Sequence, residues 1–587
     1  METSTETSME TNMKISINDR NYEEWSMYHD TTLIQISPPE NFHPAIHHLF
    51  NGDVINYNES NKNTSIIHSI VRNVAHIPGI LVLVGSKTYG RHPTNAKKLL
   101  YKCVPDDRRL PIFIIPYEEK HMKFSKHPHN LYVTFKFNSW ENKHPSGTLV
   151  QNIGPVNVIA HYYEYILYCK SLNASIKSFT KDLHDVVKNR DINIDVINSI
   201  MRNNKIDSRL RERIITIDPK GATDFDDAFG LKVFKDYFIL SIYISNVTLW
   251  MEELELWESF SERVSTVYLP DRKRPMLPTL LSDSICSLKK NQQRFVLAMD
   301  IKITQDEGIV DVRYTNALIS VSENYTYDSE KLLQDNLYNQ VAGVCKILYS
   351  SHKDTHKGMP QVKTPHDVIA YLMMLMNHDS AKNMSAQSDN GIYRAAVFRN
   401  KVTIPKTLPE EIYSYLHNWN NYTGQYIHRI STEHEIMDLG CYIHITSPIR
   451  RLVDLLNLIA FQKNNNLIVP SSKAMEFYNK WTTVEKMEFI NTSMRAIRKV
   501  QCDCDLLKMC STEPNIMEKS FTGVVFDRAE RDDGLYQYMV YLPNLKLSSR
   551  MTHRKYMENY DSGMFRVFVF MEEEHVRRKV RVSMIDE

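Results

Sequence analysis

The sequence predicts an α+β domain, a sheet wrapped by helices, flanked by small antiparallel β-barrels, two on its amino-terminal side and one on its carboxy-terminal side. Three observations predict it. Short alternating apolar runs punctuated by turn residues fill positions 14–160. Strand patterns from 214 to about 320 give way to helical periodicity over 329–511. The final segment, 515–587, alternates again.

Taken in order, residues 1–13 repeat Met-Glu-Thr and are too polar to bury a core, so they read as a disordered tail. The first barrel is expected over 14–100, with a turn at Asn51-Gly52-Asp53 and the run Gly79-Ile-Leu-Val-Leu-Val-Gly85. The second, over 101–160, carries Pro111-Ile-Phe-Ile-Ile-Pro116, Leu131-Tyr-Val-Thr-Phe-Lys-Phe137 and the Pro145-Ser146-Gly147 turn. A helical linker covers 161–213, and the central domain covers 214–511. The last barrel uses Phe521–Phe526, Tyr536–Leu542 and Phe565–Phe570.

A chain of 587 residues is long enough for several domains, and 42% hydrophobic with 24% charged residues is an ordinary globular balance. The formal net charge is only +1, so attraction for a polyanion must come from local patches. Candidate patches are Lys87–Lys98, Asp271–Pro275, Lys289-Lys290 with Arg294, and Arg495–Lys499, each of which also fits a solvated face. With no leader-like start and no run of eighteen apolar residues, the expected setting is intracellular, cytoplasmic or nuclear, with no membrane partner. The eight cysteines are scattered; Cys502, Cys504 and Cys510 do not share a helical face, and His127 and His129 lack further ligands, so free thiols are expected.

The most informative segment is Thr216–Ala228, which packs Asp218, Asp224, Asp226 and Asp227 between two apolar runs. Four carboxylates in one loop repel each other, and a hard divalent cation such as Mg²⁺ relieves that repulsion while leaving positions for water and phosphate oxygens. In an extended chain Asp224 and Asp226 share one face and Asp227 takes the other, so convergence needs a bend, for which Pro219 and Gly221 supply turn chemistry. A calcium loop does not fit, because the fifth and sixth positions from Asp224 are Ala228 and Phe229. On spacing alone, a metal loop and a solvated acidic loop both stand.

The second segment, Tyr442–Asp454, reads Tyr-Ile-His-Ile-Thr-Ser-Pro-Ile-Arg-Arg-Leu-Val-Asp and runs into an apolar stretch ending at Phe461. Ser447-Pro448 predicts a helix start, with Arg450 in the first turn and Asp454 one turn on to pair with it. An arginine at a helix N-terminus is uncomfortable without an anion nearby. A structural cap with surface arginines fits the same residues, but the helix that follows is nearly all apolar, hence buried, and its cationic end must face something polar.

Together the two segments resemble the catalytic domain of the ribonuclease II, ribonuclease R and exosome catalytic-subunit family. The family signature Thr-Ile-Asp followed by Asp-x-Asp-Asp-Ala is complete, and Thr-Ser-Pro-Ile-Arg-Arg-Tyr-x-Asp is changed only at Leu452. Tyr268-Leu-Pro270, Pro275–Pro278 and Leu281–Leu288 also follow the family pattern, with weaker echoes at Tyr325–Asp328, in a helix ending at Asn377, and at Arg394. The amino-terminal barrels look like the family's paired cold-shock OB folds, and the last barrel resembles its OB-type RNA-binding module.

The resemblance implies hydrolysis of single-stranded RNA from the 3′ end to nucleoside 5′-monophosphates. It implies that Asp218, Asp224, Asp226 and Asp227 hold Mg²⁺ or Mn²⁺, one or two ions, with Asp226, Asp227 and Arg450 catalytic. Arg450 would neutralise the scissile phosphate, and Tyr268, Arg394 and Arg451 would contact RNA, Tyr268 by stacking. The chain would act as a monomer or within an RNA-decay complex. Departures from the pattern are Tyr243-Ile-Ser-Asn-Val247 in place of His-Ile-Ala-Asp-Val, Leu458-Ile459 in place of His-Arg, and Ile497 in place of a glutamate. They keep open an alternative, a catalytically impaired RNA-binding factor. A metal phosphodiesterase acting on DNA or small molecules is disfavoured by three barrels of this type.

Overall fold

The computed structural model describes residues 12–585 except 59–62, 86, 119–128, 189, 305–307, 352–361, 388–389, 398–403, 422, 429–441, 532 and 573–576. The tail at 1–11 and His127 therefore lie outside the described residues. The chain divides into two compact units, one of residues 1–173 with 502–587 and one of residues 174–501.

In the first unit, the amino-terminal sheet has five antiparallel strands in the order Gln35–Ile36, Trp25–His29, Met13–Ile17, Val54–Asn58 and Asn63–His68. The next sheet runs Ile77–Leu81, Leu131–Ser139, Ser146–Pro155, Phe113–Tyr117, Asn95–Pro105 and Arg91–His92, and a further pairing of Ile77–Leu81 with Asn95–Pro105 closes five of these strands into a barrel. The boundary between the two sheets thus falls between His68 and Ile77 and not at residue 100, because the 77–81 run pairs with strand 131–135, a partner its local sequence does not announce. Gly79 and Gly147 allow the closure: a Cβ at either would stand 2.9 Å from the Phe135 ring. Ile15, Ile17, Met27 and Phe50 share one core with Phe113, Phe135 and Trp140. The carboxy-terminal sheet orders its strands Leu547–His553, Tyr536–Leu542, Phe521–Glu530, Ser562–Glu572 and Arg577–Met584 around Val525, Tyr538, Val540 and Phe565.

The second unit is built on a seven-stranded sheet ordered Asp207–Ser208, Gly308–Ser320, Gln293–Thr304, Phe238–Ser245, Asp227–Val233, Ile215–Asp218 and Glu323–Thr326. Helices over the predicted range include Asn336–Ser351, Pro365–Gln387, Leu452–Asn464, Ser472–Trp481 and Val484–Thr512. As its composition requires, Leu452–Asn464 is buried at every position from Leu452 to Gln462. One departure is a hairpin of Ile392–Val397 with Thr423–His428 inside the expected helical region. Another is that Asn377 lies in the middle of helix Pro365–Gln387, not at a helix end. Among the described residues no helix is long and apolar enough to cross a membrane.

Asn246, at one departure from the family pattern, is wholly buried and caps helix Val247–Glu253 by accepting from Leu249 N. Its Nδ2 donates to Asn316 Oδ1 at 2.9 Å and Gln462 Oε1 at 2.8 Å, and Gln462 Nε2 donates to Thr248 Oγ1 at 2.8 Å. This satisfied amide network ties the sheet to helix Leu452–Asn464. Seven cysteines are described and none is in a disulfide; Cys103, Cys286, Cys345, Cys504 and Cys510 are buried.

Candidate active site

Strand Ile215–Asp218 ends, and strand Asp227–Val233 begins, at the same end of an antiparallel pair registered by Ile215 opposite Phe229. The pair therefore brings the ends of the two strands, and with them Asp218 and Asp227, to the same end of the sheet. The connecting loop turns at Pro219–Ala222, where Ala222 N donates to Pro219 O and Gly221 takes φ +85°, a conformation that suits glycine. Ser287 Oγ pins the loop by accepting from Phe225 N at 3.0 Å and donating to Thr223 O at 2.9 Å.

The four aspartates have different surroundings. Asp226 is 3% exposed; its Oδ1 accepts from Ile449 N at 3.0 Å and its Oδ2 from Arg450 Nε at 3.1 Å. Burial pushes its carboxyl up to about 7 against the opposing pull of Arg450. Asp224 gives Oδ1 to Lys273 Nζ at 2.8 Å and Oδ2 to the Tyr268 hydroxyl at 3.1 Å. Asp218 and Asp227 each keep a buried Oδ2 with no hydrogen-bond partner. Burial pushes both carboxyls well above the usual carboxylate range, with the charges of Asp226 and Asp224 adding to it at Asp218 and that of Asp218 adding to it at Asp227.

Two partnerless buried carboxylate oxygens of hard donor character fit Mg²⁺ or Mn²⁺. Among the described residues no three acidic, histidine or cysteine side chains converge to hold an ion by themselves. An ion here would need water or phosphate oxygens beside Asp218 and Asp227, the usual situation for Mg²⁺ at phosphoryl-transfer sites.

The second motif departs from the expected helix start. Ser447–Arg450 form a turn, Arg451 is extended, and the helix begins at Leu452. A short backbone ladder imposes this: Thr266 N donates to Arg450 O and Leu452 N to Val264 O, both at 2.9 Å. The extension also changes Asp454's partner. Its Oδ1 accepts from Arg451 Nη2 and Ser447 N, both at 2.8 Å, which frees Arg450 to reach Asp226. Arg450 keeps 45% of its side chain open to solvent.

Arg394, on strand Ile392–Val397, approaches His444 Nε2 through Nη1 at 3.2 Å, and Tyr426 OH meets His444 Nδ1 at 2.7 Å. Arg394 can only donate, so Nε2 accepts and Nδ1 carries the proton. Burial, reinforced by Arg451 and Arg394, holds His444 neutral, well below its ordinary pKa. Asn457 supports this neighbourhood by accepting from Ile392 N at 2.8 Å and donating to the Ile392 and His444 carbonyls at 2.9 Å.

Tyr268 is 39% exposed on the two-stranded ribbon Val267–Tyr268 with Lys273–Arg274. Two expected basic-patch residues are internal: Arg294 is 3% exposed and donates to carbonyls, and Arg274 is 6% exposed and bound to Asp271. Sequence reasoning missed Lys273 as a partner of Asp224, and also missed Asp283 and His444. The only signal for Lys273 was its place in Asp271–Pro275, and for His444 its place in the second motif.

Comparison with known proteins follows the same lines. Residues 208–342 match the RNB domain and residues 100–170 match the Dis3-like cold-shock domain 2. Ribonuclease R of Mycoplasmopsis pulmonis is 32% identical over 162 residues, 25% of this chain and 22% of the relative. DIS3-like exonuclease 2 of Xenopus tropicalis is 27% identical over 334 residues, 54% of this chain and 37% of the relative. The chain thus matches less than two thirds of the length of either. Mycoplasma genitalium RNase R, solved in complex with ribose-methylated single-stranded RNA, shares the fold with a TM-score of 0.67 and 15% identity, over 97% of this chain and all of that one. Yeast Ssd1, a pseudonuclease, does so with a TM-score of 0.57 and 14% identity, over 93% of this chain and 79% of that one. Asp226 joins the two signature motifs inside one unit, and the chain carries an RNB domain similar to those of ribonuclease R and the DIS3-like exonucleases.

Proposed function

We propose that the chain is a divalent-metal-dependent 3′-to-5′ exoribonuclease that hydrolyses single-stranded RNA to nucleoside 5′-monophosphates. The observation that carries this reading is the pair of buried, partnerless Oδ2 oxygens on Asp218 and Asp227 within electrostatic reach of Arg450. Negative charge that wants a cation, beside a cation that can take a phosphate, is the arrangement phosphoryl transfer requires. When bound, the ion supplies Lewis-acid polarisation of the phosphoryl oxygen and lowers the pKa of a coordinated water.

The chain's own residues do the placing. Asp226, gripping both Ile449 N and Arg450 Nε, holds the guanidinium; its Nη2 also donates to Ser447 Oγ at 3.2 Å, and the remaining outer N–H groups are left for a phosphate. Tyr268, half-open and anchored through its hydroxyl, presents a ring face for a base. Arg394, beside His444, and Arg451, on Asp454, would contact RNA. The barrels of the first unit would supply further single-strand contacts. The protein acts alone or within an RNA-decay complex.

A second reading, an RNA-binding factor with impaired turnover, draws on Asp224 and Asp226 being engaged by protein cations. A single assay separates them. Incubation of 5′-labelled single-stranded RNA with the protein in Mg²⁺ or in EDTA, beside Asp227→Asn, is expected to show Mg²⁺-dependent shortening from the 3′ end that the variant lacks. Binding without shortening in Mg²⁺ and in Mn²⁺ would favour the second reading.

A further inference from the structure

Lys273 lies against the aspartate loop. Its ammonium has three N–H groups, and each has an acceptor: Asp224 Oδ1 at 2.8 Å, Asp283 Oδ1 at 2.8 Å and Thr223 Oγ1 at 2.6 Å. Thr223 Oγ1 in turn donates to Asp283 Oδ2 at 2.9 Å, closing a ring of oxygens around the charge. Only 22% of the lysine side chain, 8% of Asp224 and 16% of Asp283 is exposed, so water competes weakly for these contacts. Burial alone would weaken the lysine's hold on its proton, and the two carboxylates more than offset it.

The ribbon adds a second relation. Lys273 and Tyr268 are directly opposite in its register. They take the two oxygens of the same carboxylate, Lys273 holding Oδ1 of Asp224 and Tyr268 holding Oδ2. A cross-strand pair thus clamps Asp224 from both sides, and the hydroxyl of the aromatic ring is fixed by a carboxylate whose charge the lysine balances.

We propose that Lys273 is a positioning residue that does at Asp224, with a protein ammonium, what a second divalent ion would otherwise do: it balances the carboxylate and fixes Tyr268, so the site runs on one bound ion. This rests on the nuclease reading for the ion at Asp218 and Asp227. It goes beyond that reading in assigning the charge at Asp224 to the chain itself. In the absence of Lys273, Asp224, Asp283 and Thr223 present three close oxygens that suit a hard cation.

The test is a Mn²⁺ titration of the full chain without RNA, read by electron paramagnetic resonance, on wild type, Lys273→Met and Lys273→Arg. Wild type and Lys273→Arg are expected to bind one ion, and Lys273→Met two. In EDTA the Lys273→Met protein should melt below wild type and recover with Mn²⁺. With RNA its KM should rise ~10-fold while kcat changes less, because the stacking ring loses its anchor. Should Lys273→Met fail to fold, Lys273→Gln, which keeps N–H donors without the charge, carries the same measurement. One ion in both wild type and Lys273→Met, or two in wild type, overturns the inference and leaves the nuclease reading standing. No ion in wild type overturns both.

Discussion

Removing the Arg450 side chain is the sharpest perturbation of the site. Its Nε hydrogen bond to Asp226 at 3.1 Å is one of two contacts on a carboxylate that is 3% exposed; the other is Ile449 N. Breaking a fully buried pair costs roughly 3–5 kcal/mol, because the remaining charge is stranded. Here 45% of the arginine is solvent-exposed, so water can follow the truncation and Asp226 can take up a proton, which its raised pKa favours. The expected loss of stability is therefore smaller, about 1–2 kcal/mol. The effect on rate should be larger. An electrostatic donor aimed at charge that develops in the transition state is worth about 10²–10³ in kcat. Arg450→Ala is expected to lose that factor while its affinity for RNA changes less than about threefold, and Arg450→Lys should keep part of the rate. Single-turnover decay of a labelled RNA, with binding measured in EDTA, separates the two. A tenfold or greater loss of affinity with an unchanged single-turnover rate would refute the assignment of Arg450 to the transition state.

Other outcomes can be checked independently. Tyr268→Ala should weaken single-stranded RNA binding by about 1–3 kcal/mol in a fluorescence titration, and an unchanged Kd would remove the stacking role. In the sheet, burial alone would raise the Asp300 carboxyl, but hydrogen bonds from Arg209 and Ser241 outweigh it and hold the group below the usual carboxylate range. The unfolded chain thus takes the proton more readily, so this stabilisation is complete above a pH of about 4 and is lost as pH falls through the lowered folded value. Asp300→Asn should cost ~3 kcal/mol at neutral pH, and its deficit in urea unfolding should shrink toward pH 3; a deficit constant with pH would contradict the pairing. In the carboxy-terminal sheet a Cβ at Gly523 would stand 2.6 Å from Leu542 Cδ2 and 2.9 Å from Tyr541 O, so Gly523→Ala should destabilise by ~1–3 kcal/mol, visible as a lower urea midpoint.

The aspartate motif was legible because its geometry is local. Asp218 and Asp227 sit at facing ends of adjacent strands, and apolar runs on either side announced those strands. The buried helix after Arg450 was equally plain from the apolar run ending at Phe461, and eleven consecutive residues of it are interior. What escaped depends on partners far along the chain. Ser447-Pro448 is a strong local helix signal, yet the backbone ladder to Val264 and Thr266 holds Arg450 and Arg451 out of the helix and exchanges the expected Arg450–Asp454 pair for Arg451–Asp454. Similarly, Ile77–Leu81 looked continuous with the strands before it and pairs instead across fifty residues of sequence, Leu81 with Leu131. The unequal roles of the four aspartates were invisible for the same reason: Lys273, Tyr268 and Ile449 approach from separate segments.

The amide network at Asn246 has a consequence for how this molecule can be studied. Asn246, Asn316, Thr248 and Gln462 have no proton to gain or lose near neutral pH, and they couple the strand before Asn246, whose Ser245 N holds Asp226 O at 2.8 Å, to the helix that follows Arg450. The scaffold joint is proton-silent. An aspartate at position 246 would make the alignment of the two motifs itself a function of acidity. With neutral amides instead, a pH–rate profile of this chain reports on the groups at the reaction centre and not on the frame that carries them.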